Sequence, residues 1–377
     1  MHRFALITPA LLAWFIVTWE AGLRAGFLLL LGLGFGAVLA ASRFGFTTGW
    51  RALILHRDPW GMVGQMLLLG LCAALSLPLL HQHAHEISGA VAPITWGLLI
   101  GAFVFGMAMQ LADGCGSGTL YKAGASSPTS WVVLPAFIAG SFFGASHLEA
   151  WNAMGGPLQI IGLQHEPEPV DLMQLTSPAM ALTITLLGCA AISMLALAMT
   201  RARRHATRPW PAVSPRWMWG AVGLALLYVI HLVVAGQPWG IVYGLGLWGA
   251  KLASWTGADL STDSFWGVAP HAQRLLEPVL WDTTSVTNIG LLYGAMVASR
   301  WNNRNFHLKQ WPAWRPLIIS ILAGLLMGYS SRLAFGCNVG AYLGGVASGS
   351  LHGWLWLGCA FLGSMIGIRL RLKAGIT

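Results

Sequence analysis

Between residues 27 and 41 the chain reads FLLLLGLGFGAVLAA with no charged side chain, and runs of this kind recur to the C-terminus. Stretches of about 20 apolar residues are what a helix needs to cross the hydrocarbon of a bilayer. The chain is 56% hydrophobic and 9% charged, with a mean hydropathy of +0.66; a soluble domain carries about 25% charge. The fold class expected is therefore an all-α polytopic membrane protein. The 20 tryptophans suit the aromatic belts at the headgroup level. The formal charge of +9 does not read as nucleic-acid binding, because its basic residues gather in short loops, as the positive-inside rule requires. No nucleotide motif, catalytic extension or cofactor motif is present. The opening MHRFALITPALLAWFIVTWEAGLR has signal-peptide character but no convincing cleavage site, and reads better as a first span or signal anchor.

The basic clusters mark cytoplasmic loops: Arg43 to Arg57, RARRHATR (201–208), RWNNRNFHLKQWPAWR (300–315) and RLRLK (369–373). HQHAHE (81–86), HEPEPVD (165–171) and the polar stretch 256–287 belong to the opposite side. Spans are expected near 4–19, 25–41, 61–80, 94–112, 129–146, 179–200, 218–235, 286–299, 316–334 and 353–368. The short, Gly-rich 239–255 reads as re-entrant. The 286–299 stretch is short for a bilayer and should begin further upstream.

An internal repeat organises these spans. GMAMQLADGCGSG (106–118) and GYSSRLAFGCNVG (328–340) share the pattern G-x4-LA-x-GC-x2-G, at a spacing of 222 residues. Gly140-Ser-Phe-Phe-Gly144 matches Gly363-Ser-Met-Ile-Gly367, and GLGFGAVLAAS (32–42) resembles GLGLWGAKLAS (244–254). The chain divides into a first repeat, 1–200, a cytoplasmic linker, 201–217, and a second repeat, 218–377. By loop charge the span before the first GC motif enters from outside and that before the second from the cytoplasm, so the repeats are inverted. Inverted repeats with interrupted spans at matching positions point to a transporter with its site near the bilayer midplane.

Each GC motif leads into a short segment of small residues, SGTLYKAG (117–124) and VGAYLGGVASG (339–349). Neither crosses a bilayer alone, and non-helical backbone at that depth must be buried in protein or line a wet cavity. Glycine permits the tight turn, and a following half-helix aims its N-terminal N–H groups at the turn, where an anion is favoured. Candidate path residues are Gly114, Cys115, Gly116 and Gly118 in the first motif, and Gly336, Cys337, Asn338 and Gly340 in the second. Glycine-mediated helix packing would account for one such motif, less readily for two related copies. Arg332 must face protein or water at that depth; Gln110 is its counterpart, and Asp113 its candidate ion-pair partner. Lys122 is either an interface lysine or a path residue. Cys72, Cys189 and Cys359 lie in uniformly apolar segments and read as small buried hydrophobes.

GCGSGTLYKAG and RLAFGCNVGAYLGG, with SLHGW (350–354) and GSMIG after the latter, resemble the YeeE/YedE family of bacterial inner-membrane sulfur-compound transporters. FTTGWR (46–51) is similar to a third family element, which brings in Thr47. The resemblance implies uptake of a small inorganic sulfur anion, thiosulfate above all, with some members linked to selenium. It implies inverted repeats of transmembrane helices whose short helices meet in the middle, and successive contacts of the anion with Cys115 and Cys337. It also implies a small TusA-like cytoplasmic sulfurtransferase as partner, for which no domain is present in the chain. Where the family often has Cys-Phe-Thr, this chain has Gly45-Phe46-Thr47. The substrate differs, the outermost thiol contact is dispensable, or the alignment slips there.

A dianion would be repelled by a thiolate at low dielectric; a neutral S–H holds it weakly and releases it, as conduction needs. The other reading is a membrane enzyme whose cysteines form a persulfide, for which His352 is the nearest base in sequence. A structural subunit without flux is a third. His81, His83, His85 and Glu86 have the composition of a metal site, but a solvated loop explains them better. Thr283, Thr284, Ser285, Thr287 and Asn288 open a span, as a cap or as an entrance lining.

Overall fold

The computed structural model describes residues 4–160, 165–201, 215–302 and 311–376. All of the expected linker 201–217 except Arg201 and residues 215–217 lies outside the described residues, as does the basic stretch 303–310. Among the described residues there is no β-strand, only the isolated bridges Pro93–Pro169 and Asp171–Ser350. Among the described residues, eight helical segments are long and apolar enough to cross a bilayer. The protein is an all-α polytopic membrane protein.

Helix α1 (Phe4–Ser42) holds both of the first two expected spans. At about 1.5 Å per residue it would measure about 58 Å, nearly twice the hydrocarbon thickness. Gly22 breaks it with φ 86°, a left-handed conformation that glycine adopts without strain. Helices α2 (Phe46–His56), α3 (Trp60–Gln82) and α4 (Trp96–Leu111) follow, then the short α5 (Gly116–Gly124) and α6 (Pro128–Ser146). Beyond a loop come α7 (Pro178–Arg201), α8 (Pro215–Ala235), α9 (Val242–Trp255), α10 (Thr283–Asn302) and α11 (Trp314–Leu333). A π-helical turn, Asn338–Leu343, runs into α12 (Gly344–Ala347), and α13 (Leu351–Lys373) closes the chain. Helix α9 has 14 residues, about 21 Å, too short to span. Helix α10 does start upstream of 286. Asp282 caps it, accepting from Thr284 Oγ1 at 2.6 Å and the Ser285 amide at 2.7 Å.

The matched motifs make matched contacts. Helix α4 packs along α13, and α6 along α11. Gly140 and Gly144 of α6 lie against the backbone of Leu325 and Tyr329, and Gly363 and Gly367 of α13 against the backbone of Phe103 and Met107. Leu325 and Tyr329 follow Phe103 and Met107 by the same 222 residues as the GC motifs. A Cβ at any of the four glycines would collide with main chain, so the two G-S-x-x-G segments are close-approach faces. Helix α5 meets α10, and α12 meets α3, so each short helix is walled by a long one from the far half of the sequence.

The third sequence likeness is not expressed in packing. Residues 32–42 end α1 and lie on α10, whereas 244–254 form α9 and lie on α6. It is α2 that packs on α13 as α9 packs on α6. The turn after Cys337 is wedged by aromatic rings: Tyr342 is parallel to Trp356 at 5.9 Å and edge-on to Phe46 at 5.9 Å.

Gly363→Val should force α4 and α13 apart and lower stability by about 2–3 kcal/mol, the upper range for overpacking against rigid neighbours. Gly358→Val, whose Cβ would have no atom within 4 Å, is the control. Thermal unfolding in detergent should show a depressed midpoint for the first variant and none for the second.

Candidate functional site

The two GC turns have similar backbones before and at the cysteine. Asp113 (φ 60°) and Phe335 (φ 56°) are left-handed, and Gly336 has φ 146°. The Gly114 amide donates to Met109 O at 3.1 Å, and the Gly336 amide to Ser331 O at 2.8 Å. Cys115 (φ −83°, ψ −169°) and Cys337 (φ −92°, ψ −167°) are extended residues at the N-terminus of α5 and of the π-turn, and neither caps its helix with its side chain. Each thiol thus stands at the N-terminal, positive end of the short element that follows it.

These turns meet. A Cβ on Gly116 would come within 3.1 Å of Cys337 Sγ, so the second thiol rests against the residue following the first. Cys115 Sγ lies 3.4 Å from Ser117 Oγ. Cys115 and Cys337 are 1% and 0% exposed, so this contact is a closed constriction. Around it, several buried polar atoms have no partner: Asn338 Nδ2 and Oδ1, Thr119 Oγ1 and Thr47 Oγ1. Buried polar groups are normally satisfied, and each orphan calls for an explanation. These four belong to the two GC turns and to the facing α2, and other such atoms lie elsewhere in the bundle.

A cavity opens on each side. One is lined by Gly45, Thr47, Gly114, Cys115, Gly118 and Lys122, with further aromatic and hydroxyl side chains. Its volume is about 10 Å³, no more than one water requires. The other, about 210 Å³, is lined by Gly240, Tyr243, Arg332, Phe335, Gly336 and Gly340, among others. Gly114 and Gly118 line the first cavity as their counterparts Gly336 and Gly340 line the second. By the loop-charge reading the first faces the cytoplasm. Gly45, at the position matched to a third cysteine, lines this cavity together with Cys115.

The ion pairing differs from the expectation. Asp113 does not pair with Arg332. It accepts from Arg51 Nη1 at 2.8 Å and Lys122 Nζ at 2.7 Å and is ion-paired with Arg371 Nη2 at 3.3 Å, and its carbonyl also accepts from Lys122. The reason is geometric: Asp113 belongs to the turn after α4, and Arg332 ends α11 at the opposite mouth. Gln110 joins the inner cluster, accepting from Arg51 Nε at 3.1 Å and, through its carbonyl, from Arg371 Nη1 at 2.8 Å. Lys122 is thus a member of a partly buried ion-pair cluster. Sequence reasoning passed over Arg51 and Arg371 because both lie in clusters that the positive-inside rule already explains. The position of Arg51 in FTTGWR, four residues after Thr47, was the available signal.

The other candidates stand apart. His352 Nδ1 is 2.7 Å from Ser350 Oγ, next to Gly345, and lines neither cavity. His83 and Glu86 approach only to 3.8 Å, and no group of three metal-ligating side chains occurs among the described residues. Asn288 donates to Ile241 O at 2.9 Å, tying α10 to the edge of the larger cavity.

Asp113→Asn would leave three cations facing one another. Breaking a buried pair costs about 3–5 kcal/mol, and partial exposure of Asp113 reduces this to about 2 kcal/mol. The unfolding midpoint should fall, and adding Lys122→Met should restore part of it.

A family model described as sulphur transport matches residues 41–366. The thiosulfate transporter TsuA of Spirochaeta thermophila is 26% identical over 345 residues, covering 87% of this chain and 93% of that protein. TsuA of Escherichia coli is 24% identical, covering 89% and 91%. The probable transporter YedE of Escherichia coli is 25% identical over 151 residues, 40% of this chain and 36% of that protein. A multi-pass protein of the inner membrane, the chain belongs to the sulphur-transport family, YeeE/YedE.

Proposed function

We propose that the protein carries thiosulfate inward across the bacterial inner membrane, passing it from Cys337 to Cys115. The observation that carries this reading is the meeting of the two GC turns, Cys337 Sγ against Gly116, between a cavity on either side. The relatives named as thiosulfate transporters cover nearly the whole chain and supply the substrate.

The chemistry follows from what a dianion meets there. At low dielectric a thiolate would repel it, so each cysteine acts as a neutral S–H donor. Asn338, whose amide is unpartnered, offers N–H to the anion as it passes Cys337; Thr119 and Thr47 offer hydroxyls on the Cys115 side. Such donors are individually weak, and a path needs sites the ion can leave. Gly114, Gly116, Gly118, Gly336 and Gly340 keep side chains off the route. The constriction is closed, so passage requires the two turns to part. In this reading 1–200 and 218–377 act as inverted halves that part at these turns. The inner mouth, ringed by Lys122, Arg51 and Arg371 around one Asp113, delivers the anion to the cytoplasm, where a TusA-like sulfurtransferase would take it up.

The protein is not an enzyme in this reading. The relatives that cover nearly the whole chain are named as transporters, which supports passage without chemical change.

Proteoliposomes loaded by the wild type should accumulate intact labelled thiosulfate. Loss of one charge-assisted donor is worth about 1.5–3 kcal/mol, so Cys337→Ala and Cys115→Ala should each slow uptake roughly tenfold or more. Undiminished uptake in both variants, or release of an altered product, would overturn the reading.

A further inference from the structure

Two histidines are buried among the described residues, His231 and His352. The ring of His352 is tied, with its Nδ1 2.7 Å from Ser350 Oγ. That of His231, in α8, is tied at one nitrogen only. Its Nε2 lies 3.4 Å from Thr287 Oγ1 of α10, and Thr287 gives its own proton to Thr283 O at 2.8 Å. A hydroxyl has one proton to give, so the ring donates Nε2–H to Thr287 and Nδ1 is the nitrogen that carries a lone pair. Nδ1 is buried and makes no hydrogen bond. Phe35 of α1 lies beside the ring at 6.1 Å and stacks in turn on Trp239 at 3.8 Å. An ionisable group inside a span with a polar atom unsatisfied points to function before packing.

The charged and titratable groups around the ring are few. Helix α8 packs on α1 and α3. From α1 comes Arg24, bonded to Val234 O and Ala235 O. From α3 comes Cys72, beside Tyr228 one turn before His231. On α10, Asp282 is engaged as the helix cap. The main chain of Gln237, in the loop after α8, also approaches the ring. Among the described residues no carboxylate comes within 4.0 Å of it.

His231 stands four residues before the end of α8, about 6 Å along the axis. That end lies opposite Arg216 and is the outer one by loop charge. On α10 the residue after Thr287 is Asn288, which holds the main chain of Ile241. The ring is therefore one residue removed from a contact that borders the proposed route. A proton on Nδ1 would leave a buried cation without a counter-charge, which a membrane interior disfavours. A dianion in the route supplies that charge, so each makes the other's binding easier, and by equal factors.

We propose that His231 is a proton-binding positioning residue: Nδ1 takes up one proton from the outer side as the anion enters the route, and acts on the route through Thr287 and α10. The inference rests on the thiosulfate uptake proposed above. The lone pair of Nδ1 becomes an N–H and no other bond changes.

Uptake by proteoliposomes is measured between external pH 8 and 5.5, a range over which thiosulfate itself stays a dianion. The wild-type rate should rise as external pH falls, by no more than tenfold per pH unit, the limit for one proton. In His231→Gln, whose amide can still donate to Thr287, the rate should be flat and near the wild-type value at pH 8; His231→Asn is the second variant. His352→Gln should keep the wild-type slope. In weakly buffered detergent solution, thiosulfate should make the wild type take up as much as one proton per chain, read with a pH dye, and His231→Gln none. A wild type whose uptake ignores pH, no proton uptake on adding thiosulfate, or a slope kept in His231→Gln would overturn the proposal. So would inactivity of both His231 variants at every pH, which would make the ring structural. Robust uptake without pH dependence would leave the transport reading standing; absence of any wild-type uptake would remove both.

Discussion

Everything in this bundle is arranged around backbone left open inside an apolar interior. A chain that breaks its helix at membrane depth exposes N–H groups that lipid cannot satisfy. Here it breaks twice, at Cys115 and at Cys337, with the same left-handed residue two positions earlier and the same extended cysteine. The two breaks are laid against each other, walled by α10 and α3. The close-approach glycines of α6 and α13 hold the long helices near enough for this to happen. An opening that would be a defect in lipid becomes, once paired, a sealed polar point between two cavities.

Charge gives this near-symmetric frame a direction. The counterparts of Arg332 and Lys122 are Gln110 and Gly344, so the two mouths could not be alike. The inner mouth carries a shared cluster of three cations and one carboxylate. The outer carries one guanidinium set between aromatic faces. In the proposed route, an anion arriving from outside meets Arg332 first, then neutral donors, then a cluster whose cations are already partly engaged.

Much of this was legible in the sequence. Apolar run length and low charge gave the fold class, and the GC and G-S-x-x-G pairs marked a repeat whose matched elements make matched contacts, Gly140 with Leu325 and Gly363 with Phe103. What was not legible was whatever depends on which mouth a residue faces. Asp113 and Arg332 looked like partners because each precedes a GC cysteine, yet that same correspondence sends them to opposite ends. The likeness of 32–42 to 244–254 reflects small residues on close-packed helices, a pattern many contacts share. Arg51 and Arg371 were hidden by their clusters, where topological and site charges look the same. The aromatic clamp on Arg332 was invisible, since Phe265 and His271 come from a loop far away in sequence.

The central claim is that the anion travels past both buried thiols. The most direct measurement is slow alkylation of the wild-type protein, followed at each cysteine by mass spectrometry with and without thiosulfate. Cys359, in α13 and partly exposed, serves as the internal reference. The account predicts that thiosulfate alters the rates at Cys115 and Cys337 together and leaves Cys359 unchanged. Equal rates at all three, with and without the anion, would contradict it.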